Sequence, residues 1–184
     1  MEFTLYYRGE LKSNGSAKDK QNLRRHFHIQ LKNLWQQLPL KEMHEFLDDT
    51  PGSSTSMLKS KGGFKFAPLI NEKLNLVGEL KITMLRPESP GSIITQSGDI
   101  DNRLKTLFDS LKMPSEPTAI PNGDIPSESE NPFYCLLEDD NLITKVNVET
   151  DRLLEPFESR SEVVLLIHVT TKTTRTSYDN IGLG

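Results

Sequence analysis

The run Val163-Val-Leu-Leu-Ile-His-Val169 constrains the fold more than any other stretch. It is almost continuously apolar, too short for a typical helix, and best explained as a strand buried on both faces. Such a strand needs neighbours and covering layers, and the rest of the chain offers both. Phe3, Leu5 and Tyr7 alternate with Thr4, Tyr6 and Arg8, which predicts an opening strand. Phe64 and Phe66 alternate, with Leu69 beyond them, and so do Leu80, Ile82 and Met84, and Leu142, Thr144, Val146 and Val148. Leu23, Phe27, Leu31, Leu34, Trp35 and Leu38 fall on one stripe of a helix that starts near a Ser16/Asp19 cap and ends before Pro39, with Trp35 as a core residue. Leu104, Leu107, Phe108 and Leu111 mark a second helix over Asp101 to Lys112. The expected fold is α+β, a single domain with a mixed β-sheet packed by two main helices.

A chain of 184 residues fits one domain and buries enough surface to fold without a disulfide or structural metal. Cys135 is the only cysteine, so no intrachain disulfide exists and a cytoplasmic location is expected. The opening Met1-Glu2-Phe3 lacks a cationic segment with a long apolar run, and no apolar stretch approaches the ~20 residues of a membrane span. Neither secretion nor a membrane partner is expected. The domain is expected over residues 1–171, with a polar, flexible tail over 172–184. Within it, 48–63 reads as a mobile loop, and the Pro-rich insertion 113–132 as irregular chain, either an extended arm or a lid. There is no internal repeat.

The formal net charge of -4 averages over two unlike regions. Arg8 to Lys32 holds seven basic residues against two acids, and Glu116 to Glu162 holds twelve acids against three basic residues. A basic face beside an acidic pocket can hold a phosphate backbone and a divalent cation together, and a solvated mosaic surface gives the same counts. Arg24, Arg25, His28 and Lys32 lie largely off the apolar stripe of the first helix, so they form either a solvated face or a DNA contact. His26 and His28 are two apart and face different ways on a helix, which argues against a metal pair. His168 reads as a core residue and Cys135 as a small buried hydrophobe. Lys61-Gly-Gly-Phe is too short for a phosphate-cradling loop, so no nucleotide cofactor is expected.

The segment Ser97-Gly-Asp99-Ile-Asp101-Asn102-Arg-Leu-Lys105-Thr-Leu-Phe-Asp109 follows a strand and enters a helix. Asp99 and Asp101 point to one side in extended chain, where they can share a cation. Asp101, Lys105 and Asp109 recur at i, i+4 and i+8 on one polar face. The plainer reading makes Asp101 a helix cap and Lys105 its ion-pair partner. A second acidic cluster, Glu138-Asp139-Asp140, precedes a strand, and a divalent cation is a physical reason to keep such acids together. Oxygen ligands of this kind suit Mg²⁺.

Gly98-Asp99-Ile-Asp101-Asn102-x-x-Lys105-x-x-x-Asp109-x-Leu111, with Asp139-Asp140-x-x-Ile143 downstream, resembles the RusA family of Holliday junction resolvases, Mg²⁺-dependent bacterial and phage endonucleases. The resemblance covers residues 78–169. It implies that Asp99, Asp101 and Asp140 are metal-binding carboxylates, with Asp139 the alternative to Asp140, and that Lys105 is the catalytic lysine. It further implies Mg²⁺, with Mn²⁺ as a substitute, four-way DNA junctions as substrate, a homodimer, and a role in recombination and repair. Lys12, Asn14, Arg24, Arg25, Lys32, Lys59, Lys61 and Lys65 are candidates for DNA contact, of the kind that positions a backbone without reading sequence. Two departures stand out. Roughly 25 residues, Lys112 to Leu137, separate the helix from the second acidic cluster where the family has a short segment. Glu10-Leu-Lys12-Ser-Asn14-Gly lacks the prolines of the family's corresponding stretch.

Overall fold

A computed structural model describes residues 1–50, 52–88 and 100–184. Seven strands and two helices follow in the order β1 (Glu2–Glu10), α1 (Ala17–Leu34), β2 (Lys59–Lys61), β3 (Phe64–Ile70), β4 (Leu76–Arg86), α2 (Ile100–Leu111), β5 (Phe133–Leu137), β6 (Ile143–Arg152) and β7 (Glu162–Thr173). They form two sheets in one α+β domain. The larger has the order β1-β7-β4-β6, antiparallel at β1/β7 and β7/β4 and parallel at β4/β6. The smaller has the order β2-β3-β5, with β3 and β5 parallel.

The core lies where period-two and helical patterns meet. Leu5, Ile167 and Ile82 are in register across the larger sheet and are buried together with Leu23, Phe27, Leu31 and Trp35 from the stripe of α1. Leu107 and Leu111 of α2 join the same core. Ser16 and Asp19 form the expected capping box: the Ser16 hydroxyl accepts from the Asp19 N–H and the Asp19 carboxylate from the Ser16 N–H. The hydrogen bond from Ser16, reinforced by Lys12, pulls the Asp19 carboxyl down to about 2. On the far side of the smaller sheet Phe64, Phe66, Met113, Ile120, Phe133 and Cys135 form a second core. Cys135 is a small buried hydrophobe there, and its burial pushes the thiol up.

Four expectations require correction. The strand β7 is buried on one face only, because among the described residues nothing covers the outer side of the larger sheet: Leu166 is 42% exposed, and His168, expected in the core, is exposed beside Thr4. The 48–63 loop is not free chain throughout, since Met57 is buried in the main core and Lys59–Lys61 pairs with β3; Pro51 lies outside the described residues. The insertion 113–132 docks on the protein through Met113, Ile120 and the buried Glu130. The 172–184 tail is held too: Leu183 is fully buried, and the buried Asn180 side chain donates to the Leu74 carbonyl.

Candidate active site

Strand β4 ends at Arg86 and α2 returns antiparallel to it, so the helix begins near the Arg86 end of the sheet and finishes near the start of β6. Its beginning is fixed from below. The Arg103 guanidinium donates to the Leu11 carbonyl at 3.0 Å, and the Thr106 hydroxyl accepts from the Gly15 N–H at 2.9 Å. Asn14, with φ 54°, makes the left-handed turn that brings Gly15 there, and a side chain on Gly15 would meet Thr106 Cγ2 at 2.7 Å. With Arg103 and Thr106 buried, the opposite face of this turn presents Asp101 and Lys105 to solvent. One Asp101 oxygen accepts from the Asn102 N–H at 2.8 Å. Among the described residues neither Asp101 nor Lys105 has an ion-pair partner, so the cap-and-partner pairing expected at i and i+4 is not formed. Asp99 lies outside the described residues.

Arg86 and Arg103 are both 4% exposed beneath this turn. Arg86 Nε reaches Glu88 at 3.2 Å, while Arg103 Nε has no partner among the described residues. Burial, then the neighbouring Arg86 charge, holds the Arg103 guanidinium below its ordinary value. With Glu88 paired to Arg86, one net positive charge lies under the beginning of α2; Arg86 continues the buried phase of Leu80, Ile82 and Met84, whereas Arg103 lies off the apolar stripe of α2.

The other end of α2 is closed by ion pairs. Asp109 pairs with Lys20 at 2.7 Å, and Lys112 with Asp140 at 3.0 Å. Burial works to raise the Asp140 carboxyl, but the Lys112 pair outweighs it and holds it below the ordinary carboxylate value. Asp139 accepts from the Asn141 N–H, capping a short 3-10 turn, and Glu138 pairs with Lys59 at 3.0 Å. Each acid of the second cluster thus has a partner within the protein, which removes the reason to invoke a cation between them. Asp101 and Asp109 are eight residues apart, about 12 Å along the helix axis. Asp140, tied to Lys112, lies at the Asp109 end. Asp101 and Asp140, expected to share a metal, are not brought together, and among the described residues no three His, Cys, Asp or Glu side chains group as a metal site.

The basic candidates for DNA contact are mostly engaged as well. Arg24 is 2% exposed and is corrected to a structural role: its guanidinium donates to the Asp109 and Lys112 carbonyls and to Gln21, capping the end of α2. Burial pushes it down to about 10, so it remains charged near neutral pH. Arg25 pairs with Asp124 and Glu130, and Lys32 donates to the Ser129 carbonyl. The off-stripe face of α1 therefore holds the insertion rather than presenting an open basic surface. Lys12 pairs with Asp19, Lys59 with Glu138 and Lys65 with Asp49, while Lys61 donates to Ser115. Lys12, Lys59 and Lys65 remain at least a third exposed beside their partners. His28, off the same stripe, is buried: its Nδ1 accepts from the Tyr134 N–H at 2.9 Å.

No protein-family model matches the chain, and no curated protein matches it by sequence. Among the described residues no helix is long and apolar enough to cross a membrane.

Proposed function

We propose that the chain is a Mg²⁺-dependent, structure-selective endonuclease that hydrolyses phosphodiester bonds in four-way junctions or other branched DNA, with its reacting centre at the beginning of α2. The resemblance of the Asp99-to-Asp109 segment supplies the reaction class, and with it a cytoplasmic role in recombination and repair and a pair of copies that nick two strands symmetrically. The observation that carries the location is the exposed Asp101 and Lys105, one turn apart, without ion-pair partners among the described residues and above two buried guanidiniums.

The donor chemistry fits the ion. Asp101 spends one oxygen on the Asn102 N–H and keeps the other, and Asp99 stands two residues before it in the sequence. Mg²⁺ is commonly held by one or two carboxylates with waters and substrate phosphate, so two aspartates suffice without Asp139 or Asp140. When bound, the ion supplies a water of lowered pKa and neutralises charge on the leaving oxygen, and Mn²⁺ serves as a substitute. Lys105 sets a positive charge beside the scissile phosphate, and the first N–H groups of α2 favour an anion at the same place. Arg103, fixed in the core beside the Arg86–Glu88 pair, leaves one net positive charge whose field needs no rearrangement as charge develops.

The direct test is cleavage of a labelled four-way junction against linear duplex of the same sequence, with Mg²⁺ or EDTA, using Asp101→Asn as the contamination control. Metal-dependent nicks confined to the junction, and absent with Asp101→Asn, are expected. A second reading, a non-catalytic DNA-binding or interaction module, draws on the engagement of Asp139 and Asp140 within the protein. It predicts junction binding without turnover, and calorimetric Mg²⁺ titration of wild type and Asp99→Asn separates the two.

A further inference from the structure

The larger sheet has two edges of different character. At β1 the Gln30 carboxamide accepts from the Tyr6 N–H at 2.9 Å and donates to the Tyr6 carbonyl at 2.7 Å, satisfying the middle of the edge as a neighbouring strand would. At β6 the edge is ten residues long, contains no proline, and is exposed along most of its length, with Val146 43% exposed. Among the described residues nothing hydrogen-bonds to its outer side. A long, open edge of this kind is ordinarily blunted or paired.

We propose that two copies of the chain join edge to edge along β6, antiparallel, about a two-fold axis at Asn147. The sequence Thr144-Lys-Val-Asn147-Val-Glu-Thr150 is complementary to itself in that register. Lys145 faces Glu149 of the second copy, Val146 faces Val148, Thr144 faces Thr150, and Asn147 faces Asn147. Every pair is favourable or neutral, and no like charges are opposed. Lys145 and Glu149 share the outer face of the sheet with Glu79 and Lys81, at 4.0 Å and 3.4 Å respectively. Pairing extends these contacts into an alternating row from Glu79 through Lys145 to the second copy's Glu149 and Lys81. The contact is isologous and closed, so it yields a dimer with a continuous eight-stranded sheet and no further free edge at β6. The proposal rests on the two-copy part of the functional reading, but its readouts do not involve cleavage. A dimer that cuts nothing leaves it intact, and a monomer that cuts junctions overturns it alone.

The test joins sedimentation analysis to charge reversal and cross-linking. Lys145→Glu or Glu149→Lys alone is expected to raise the dimer dissociation constant about tenfold, because symmetry creates two opposed like-charge pairs, and the double exchange is expected to restore it. Asn147→Cys, at the axis, is expected to form an intermolecular disulfide on mild oxidation, since opposed Cα atoms about 4.5–5.5 Å apart lie within disulfide reach. Wild type, whose Cys135 is buried, serves as the uncross-linked control. A chain that stays monomeric at all concentrations overturns the proposal. So does a dimer indifferent to both single reversals, or an Asn147→Cys dimer that does not cross-link.

Discussion

At its C-terminal end α2 is bound into the protein by Arg24, Lys20 and Lys112, and every acid nearby is satisfied by one of these cations or by a backbone N–H. At its N-terminal end the same helix exposes Asp101 and Lys105, with Arg86 and Arg103 buried below them. Both ends are charge-rich, and both looked from sequence like parts of one metal site. The difference lies in what the charges have left to bind. Paired charges with satisfied hydrogen bonds hold structure, whereas an exposed carboxylate and ammonium over a fixed cationic bed retain capacity for a ligand.

The largest loss is expected at Arg24. Arg24→Met removes the donor to two backbone carbonyls and Gln21 in a nearly dry site, and is expected to cost about 3 kcal/mol or more in urea denaturation. His28 is next. Burial holds it below the ordinary imidazole value, and its neutral ring accepts from the Tyr134 N–H. The unfolded chain therefore binds the proton more readily, and this contribution, complete above about pH 6.5, is lost as pH falls through that value toward the lower folded one. Stability measured from pH 8 to 5 is expected to decline, and His28→Gln, which keeps an acceptor but does not titrate, is expected to flatten the decline. Lys112→Met is expected to cost about 1 kcal/mol or less, because Asp140 is 44% exposed and screened by solvent. At the other end, Asp101→Asn and Lys105→Met are expected to change thermal stability by about 0.5 kcal/mol or less. A large loss there would mean that these side chains hold structure after all.

Sequence reasoning located α1, α2 and the strands wherever a side-chain period ran through several residues, as in Leu23, Phe27 and Leu31. It also put Asp101 and Lys105 one turn apart on a polar face. It failed where the deciding contact was distant. Whether Leu166 and His168 are buried depends on a covering layer, and among the described residues none lies over the outer face of β7. Met57 and Leu183 are single anchors without periodic neighbours, so 48–63 and 172–184 read as loose. The partner of Asp140 is Lys112, across the whole insertion, and only the topology joins them. The off-stripe cations of α1 read as a face toward solvent because the segment that they hold, 121–130, is a hundred residues away.

The most direct measurement is single-turnover cleavage of one labelled four-way junction with Mg²⁺ by wild type, Asp101→Asn and Asp140→Asn, each checked for folding by circular dichroism. Asp101→Asn is expected to lose on the order of 100-fold or more, while Asp140→Asn stays within a few-fold of wild type. Equal loss from both variants, or cleavage by Asp101→Asn at the wild-type rate, would contradict the assignment of the chemistry to the N-terminal end of α2.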